Sequence, residues 1–373
     1  MEGGAVQLLT DRFCARLEEL VNHDSPSDGV EQEWVAERVA AWLEPAGCTW
    51  EWVAEPDGPA RSMVVTLAGG GGPVVALLGH TDTVFPAGTA AARPFRREGD
   101  RCFGPGVADM KGGLVLAGMA MERLAAEPVR RFAELRLLVC ADEETRIRAP
   151  AVCAHARDAA AALVFECGRA NGDLVSARKG AIWRTLHLRG RAAHAGADTH
   201  RGRSAVSALA REIARIEALP QGRPEMTSVV TTVRAGDSAN TVPATADATI
   251  DIRSSIPADL DYALAELARD GAYDGVTAEI EDRGTWPPMP RTPWLAELAL
   301  AEARALGLDP GEELSGGVSD GCWTGADGVP TLDGLGPVGG DDHTTAEWID
   351  LVTLEQRIEL SVRLVAAIGQ RGA

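Results

Sequence analysis

The sequence predicts an α/β fold: a mixed, mostly parallel sheet flanked by helices, interrupted by an inserted ferredoxin-like α+β domain. Three observations predict it. Apolar runs of strand length alternate with helical apolar spacing up to residue 173. A strand-helix-strand-strand-helix-strand order with one polar face then occupies 174–285. Beyond the proline-dense joint WPPMPRTP the α/β texture returns, over 286–373.

Residues 7–22 and 30–46 carry apolar positions at helical spacing. CTWEWVA and SMVVTLA read as strands, and PVVALLG is a continuous apolar run that suits a central parallel strand. GGLVLAGMAMERLAA is a helix stopped by Pro128, and LRLLVCA a second buried strand. AVCAHARDAAA reads as helical and ALVFECG as a third buried strand. In the insertion, AIWRTLHLRG, TSVVTTVRAG, TADATIDIRSS and VTAEIEDRG are strands. SAVSALAREIARIEAL and PADLDYALAELARDG are its helices. LAELALAEARALG, VPTLDGLGP and LEQRIELSVRLVAAIG complete the large domain as helix, strand and helix.

Composition narrows the function classes. A net charge of −19 over 373 residues argues against nucleic acid and anionic membrane surfaces as partners. The seven cysteines form no CxxC pair, which suits reduced core thiols and a cytoplasmic protein. The first twenty residues read as an acidic amphipathic helix, not a signal peptide, and no apolar run approaches the ~20 residues of a membrane span.

Three apolar strands end in side chains that ligate metals. VVALLGHTD ends in His80 and Asp82, LRLLVCADEE in Asp142, Glu143 and Glu144, and ALVFECG in Glu166. Asp109 precedes a helix in GPGVADMKGG, and His343 lies in the late loop GGDDHTTAEW. Alone, each has an ordinary explanation: a solvated histidine, a wet turn, a helix cap. Together at successive strand ends they mark one crevice, since parallel strands deliver their carboxyl ends to one edge of a sheet. Residues two apart in an extended segment face the same way, so Asp82 can reach the His80 ring and fix its tautomer. Adjacent Glu143 and Glu144 point apart, which lets one bind metal while the other moves a proton.

GHTDTVFP, GPGVADMKGG, the DEE after a strand, FE, GRAAHAG, NTVPATADATIDIRS and HTTAEWID together resemble the M20 dinuclear zinc metallopeptidases, over almost the whole chain. The likeness is strongest to the glutamate carboxypeptidase (carboxypeptidase G2-like) branch, with acetylornithine deacetylase and succinyl-diaminopimelate desuccinylase as relatives. The resemblance implies two Zn²⁺ per chain, with Co²⁺ or Mn²⁺ as alternatives. His80 and Glu166 would hold one ion, His343 and Glu144 the other, and Asp109 would bridge them, followed by a cis peptide at Met110. Glu143 would be the general base for a water activated between the ions, and Asp82 would orient His80. His194 would donate to the oxyanion from the inserted lid domain, through which a homodimer is implied. Arg253, Asn240, Gly317 and Ser319, the last two in GGVSDG beside Gly316 and Asp320, would contact substrate. The implied reaction is hydrolysis of an amide next to a free carboxylate, in a small peptide or an N-acyl amino acid. A carboxypeptidase, an N-acyl-amino-acid deacylase and a specialised biosynthetic amidohydrolase all fit, and a non-catalytic binding relative is the alternative class that an intact Glu143 disfavours. One segment departs from the pattern: TRIRAP replaces the small turn expected after DEE and brings Arg146 and Arg148 close to the metal carboxylates. Thr285 stands where some relatives carry arginine.

Overall fold

A computed structural model describes residues 2–56, 58–269 and 273–371, with side chains from residue 7. The chain divides into two compact units. The larger comprises residues 1–178, 289–315 and 319–373, the smaller 179–288 with 316–318.

The larger unit is built on a six-stranded sheet. Its strands are β1 (Thr49–Ala54), β2 (Arg61–Ala68), β3 (Val74–His80), β4 (Glu134–Cys140), β5 (Ala159–Val164) and the short Thr331–Leu332. The order is β1-β2-β4-β3-β5 and then Thr331–Leu332. β3 runs parallel to both neighbours, with His80 level with Cys140 and Leu78 with Val164. β1 and β2 are antiparallel additions at one edge. Covered on both faces, β3 is buried along nearly its whole length, which is why it reads as an unbroken apolar run. Leu77 and Leu78 are fully buried, each contributing about 1.5–3 kcal/mol by leaving water.

Helices α1 (Glu2–Val21), α2 (Gln32–Leu43) and α3 (Gly112–Ala126) supply one layer of this core. The last helix of the chain, α4 (Leu354–Arg371), packs against α3. Gly113 allows α3 to approach the sheet, because a Cβ there would run into the Phe165 carbonyl. The helix expected over AVCAHARDAAA is only a short 3-10 turn at Ala151–Ala156, and its last alanines enter β5. Alanine favours helix intrinsically, but pairing with β3 buries these residues and overrides that preference.

The smaller unit is a four-stranded antiparallel sheet with two helices. Its strands are Gly180–Arg189, Thr227–Ala235, Thr245–Ser254 and Thr277–Trp286; its helices are Ala205–Glu217 and Pro257–Leu267. In sheet order the second strand is followed by the third, the first and the fourth, the ferredoxin-like arrangement. Alternation in Thr245–Ser254 buries Ala246, Ala248, Ile250 and Ile252 against the helices. The expected divisions at 173/174 and 285/286 fall at 178/179 and 288/289. Leu174–Arg178 stays with the larger unit because it pairs in parallel with Glu312–Ser315.

Candidate metal centre

The carboxyl ends of β3, β4 and β5 lie side by side, so the residues just beyond them share one edge of the sheet. His80 closes β3 and is 1% exposed. Its Nε2 lies 3.0 Å from Asp109 Oδ1 and 3.7 Å from Glu166 Oε1. On the other side of the same carboxylate, His343 Nε2 lies 3.0 Å from Asp109 Oδ2 and 3.3 Å from Glu144 Oε2. Two ligand sets therefore adjoin, His80–Asp109–Glu166 and Asp109–Glu144–His343, each with ligand atoms within 4.8 Å of one another. Asp109 contributes one oxygen to each.

The backbone holds this carboxylate from behind. Gly106 turns the chain with φ of +73°, and the Asp109–Met110 peptide is cis. Glu347, 1% exposed, accepts the amide hydrogens of Gly106, Ala108 and Asp109 at 2.9, 2.8 and 3.0 Å. Lys111, 1% exposed beside it, donates to the His23 carbonyl at 2.8 Å, and burial lowers its pKa to about 8. His343 adopts φ of +62°, a left-handed backbone that a side-chain-bearing residue holds only under constraint.

Asp82 touches more than His80. Its Oδ1 is 3.2 Å from His80 Nδ1 and accepts the Glu143 amide at 3.0 Å. Its Oδ2 accepts the Glu144 amide at 3.0 Å and the Ser27 hydroxyl at 2.6 Å. One buried carboxylate thus ties the end of β3 to the turn that carries Glu143 and Glu144.

Electrostatically the crevice is short of positive charge. Burial opposes ionisation of Asp109, but hydrogen bonds from His343 and His80 outweigh it and hold its carboxyl well below the usual range. The hydrogen bonds to Asp109 and Glu144 push His343 up to about 11. Burial raises Glu143, Glu144 and Glu166, and repulsion adds to it: from Glu166 and Glu144 on Glu143, and from Asp109 on the other two. Buried carboxylates in this number are stable only when protonated or neutralised by cations. Glu144 Oε1 is buried without a hydrogen-bond partner among the described residues, so an acceptor stands ready in the crevice. Imidazole and carboxylate donors of this kind suit Zn²⁺ and related divalent ions. The residues present fit a pair of metals. Glu143, 9% exposed, belongs to neither ligand set.

The acid ahead of them turns the other way. Asp142 receives Arg146 Nη2 at 2.5 Å, and Arg146 also lies 3.7 Å from Glu55 and 3.8 Å from Asp320. Arg146 is 6% exposed and belongs to the interior, whereas Arg148 is exposed. Asp320 also approaches Cys140 and Cys153, with ligand atoms within 4.8 Å.

In the smaller unit, His194 Nδ1 accepts the amide hydrogens of Gly196 and Ala197, both at 3.1 Å. That fixes the proton on Nε2 and makes the exposed ring a donor. Asn240 adjoins it, its carbonyl accepting the Ala195 amide at 2.9 Å. Arg253 pairs with Asp251 at 3.0 Å, donates to the Gly316 carbonyl at 2.8 Å and lies over the Trp183 ring. Arg253 and the Gly316–Gly317 turn are therefore neighbours. Ser319, in contrast, is fully buried and donates to Asp333 at 2.6 Å, which makes it part of the scaffold. The Thr285 hydroxyl accepts from Arg184 at 3.0 Å. Glu347 and Ser27 went unassigned in the sequence. Glu347 lies within the HTTAEWID motif, a signal that could have found it, while nothing local marks Ser27.

The sequence profile of peptidase family M20/M25/M40 matches residues 76–367. The chain belongs to that family. As an M20-type protein it is a hydrolase of the metallopeptidase and amidohydrolase kind, and the family is metal-dependent. It is 28% identical to carboxypeptidase G2 of Pseudomonas sp. (strain RS-16), over 83% of this chain and 77% of that protein. It is 29% identical to the succinyl-diaminopimelate desuccinylase of Xylella fastidiosa (strain 9a5c), over 88% and 91%. The M20 fold is shared with the Sulfolobus solfataricus metallo-carboxypeptidase Sso-CP2, at 16% identity and a TM-score of 0.73 over 95% of this chain and 98% of that one. Aminopeptidase PepT of Bacillus cereus ATCC 10987 gives 21% identity and a TM-score of 0.78 over 96% and 98%. No helix among the described residues is long and apolar enough to cross a membrane.

Proposed function

We propose that this M20 hydrolase uses two zinc ions to cleave an amide bond next to a free carboxylate, in carboxypeptidase fashion. The observation that carries the reading is Asp109, whose two oxygens face His80 and His343 at 3.0 Å each. His80 and Glu166 would hold one ion and His343 and Glu144 the other, with Asp109 shared. Bound there, the pair would acidify a water and polarise the scissile carbonyl. Glu143 takes the proton of the attacking water and returns it to the leaving nitrogen; burial raises its affinity for that proton. Asp82 keeps the His80 ring in one orientation. His194 Nε2–H is the donor for the developing oxyanion. Arg253 recognises the substrate carboxylate, sharing its guanidinium with Asp251, and Asn240 adds a polar contact. We assign the working form as a homodimer through the smaller unit. The seven free, buried cysteines fit the reducing cytoplasm.

The span of the likeness to a succinyl-diaminopimelate desuccinylase favours N-acyl-amino-acid deacylation as the second reading. Metal-loaded protein tested on C-terminal Glu, Asp, Arg and neutral peptides, and on the matching N-succinyl and N-acetyl amino acids, separates the two. Release of a C-terminal acidic residue is expected. Turnover of acyl amino acids alone would replace the carboxypeptidase reading. Absence of hydrolysis across the panel with metals bound would overturn both.

A further inference from the structure

Arg357 lies in the first turn of α4 and is 3% exposed. Its Nε donates to the Gly336 carbonyl at 2.7 Å and its Nη2 to the Gly334 carbonyl at 2.9 Å. Nη1 has no partner among the described residues. Neither carbonyl carries a formal charge. Among the described residues no carboxylate forms an ion pair with this guanidinium. A buried guanidinium without a counter-charge is costly, and burial accordingly lowers its pKa to about 10.

The same guanidinium lines a cavity of about 120 Å³, together with Thr353, Asn171, Gly172 and Val338. Thr353 Oγ1 is buried there with no hydrogen-bond partner among the described residues. Thr353 immediately precedes α4, an 18-residue helix whose N-terminal end favours negative charge. Four nearby carboxylates could oppose an anion, and each is engaged elsewhere: Asp173 with Asn171 and the Gly311 amide, Asp350 with the Val352 amide, and two with arginines. Asp309 on the rim is 92% exposed and faces Arg304 at 3.5 Å. Glu355 in the first turn faces Arg123 at 3.8 Å. A cation without a counter-ion, an unused hydroxyl and a helix N-terminus thus meet at one small cavity.

We propose that this cavity binds a small inorganic anion, of chloride to phosphate size, held by the Arg357 guanidinium and the Thr353 hydroxyl. The volume holds a few waters' worth of ligand and excludes peptides and nucleotides. The anion braces a loop that matters elsewhere. Arg357 fixes the Gly334 and Gly336 carbonyls, and the Gly336 amide donates to the Glu166 carbonyl at 2.9 Å. The metal-facing end of β5 is thereby tied to the anion cavity.

The test monitors thermal unfolding of the metal-loaded chain during titration with chloride, phosphate or gluconate at matched ionic strength. Chloride or phosphate should raise the midpoint saturably, and gluconate, which is too large, should not. Thr353→Val, which keeps every backbone contact, should weaken the apparent dissociation constant roughly tenfold. Arg357→Gln should remove the saturable response. His343→Ala, which disrupts the metal centre, should leave it in place. Equal responses to all three salts, or a response unchanged in Thr353→Val, would overturn the proposal. So would a response lost in His343→Ala and retained in Thr353→Val, since that assigns the anion to the metal centre.

Discussion

On one side of the turn at Asp142–Glu144, the carboxylates of Asp142, Glu55 and Asp320 gather around a guanidinium that the chain itself supplies, Arg146. On the other side, Glu144, Asp109 and Glu166 gather around two imidazoles with more acid than the rings can balance. The first cluster is closed in the sense that its cation belongs to the chain. The second is open, and under the proposed function it takes its cations from solution. Of three consecutive acids, Asp142 joins the first cluster and Glu144 the second, while Glu143 belongs to neither.

The largest way to break the contrast is Asp109→Asn, which weakens the shared ligand of the open cluster. Metal analysis should show loss of both ions, and activity should fall by more than ~10⁴-fold, the combined scale of metal and base assistance. Full metal content with normal turnover would refute the shared-ligand geometry. Glu143→Gln is the sharper cut. It should lower kcat by ~10²–10⁴-fold while metal content and unfolding midpoint stay unchanged. Wild-type turnover would remove Glu143 as the base.

Arg146→Met attacks the closed cluster and should act on stability before chemistry. Leaving three buried carboxylates without their cation costs about 3–5 kcal/mol, read as a fall in urea midpoint. Adding Asp142→Asn should recover part of that loss, because the two sites share one ion pair. A midpoint unchanged from wild type would show that Arg146 is dispensable.

The smallest effect belongs to a half-buried pair in the other unit. Hydrogen bonds to Asp247 and then to Glu281 raise the pKa of His187. A histidine raised on folding stabilises most below its unfolded pKa, and that contribution disappears as pH climbs through the folded value. His187→Gln should therefore cost up to about 1 kcal/mol at pH 5 and almost nothing at pH 9, by chemical denaturation. A penalty independent of pH would point to packing instead of charge.

Much of this was legible in the sequence because strand ends, not distant contacts, determine it. β3, β4 and β5 could be read from apolar runs, and each runs directly into its ligand. The link between His80 and Asp82 followed from a two-residue spacing alone. The hidden parts depend on residues far apart in the chain. Nothing near TRIRAP announces that Arg146 turns inward, since its partners are Glu55 and Asp320 as well as Asp142. Glu347 is separated from Asp109 by the whole inserted unit, so its clamp on the Asp109 amide emerges only in three dimensions. Ser319 reads as a substrate contact in a glycine-rich loop, but Asp333 draws it into the core. AVCAHARDAAA misled for the opposite reason: its local helical preference is real and the sheet overrules it.

Asp82 has a consequence for the history of such a centre. Because one carboxylate fastens the His80 strand, both glutamate amides and Ser27, the spacing of the ligands is independent of the residues C-terminal to the turn. Apart from Arg146, which Asp142 holds, that next segment can change length and bulk without touching these bonds. A keystone of this kind lets substrate range drift while the chemistry is inherited intact.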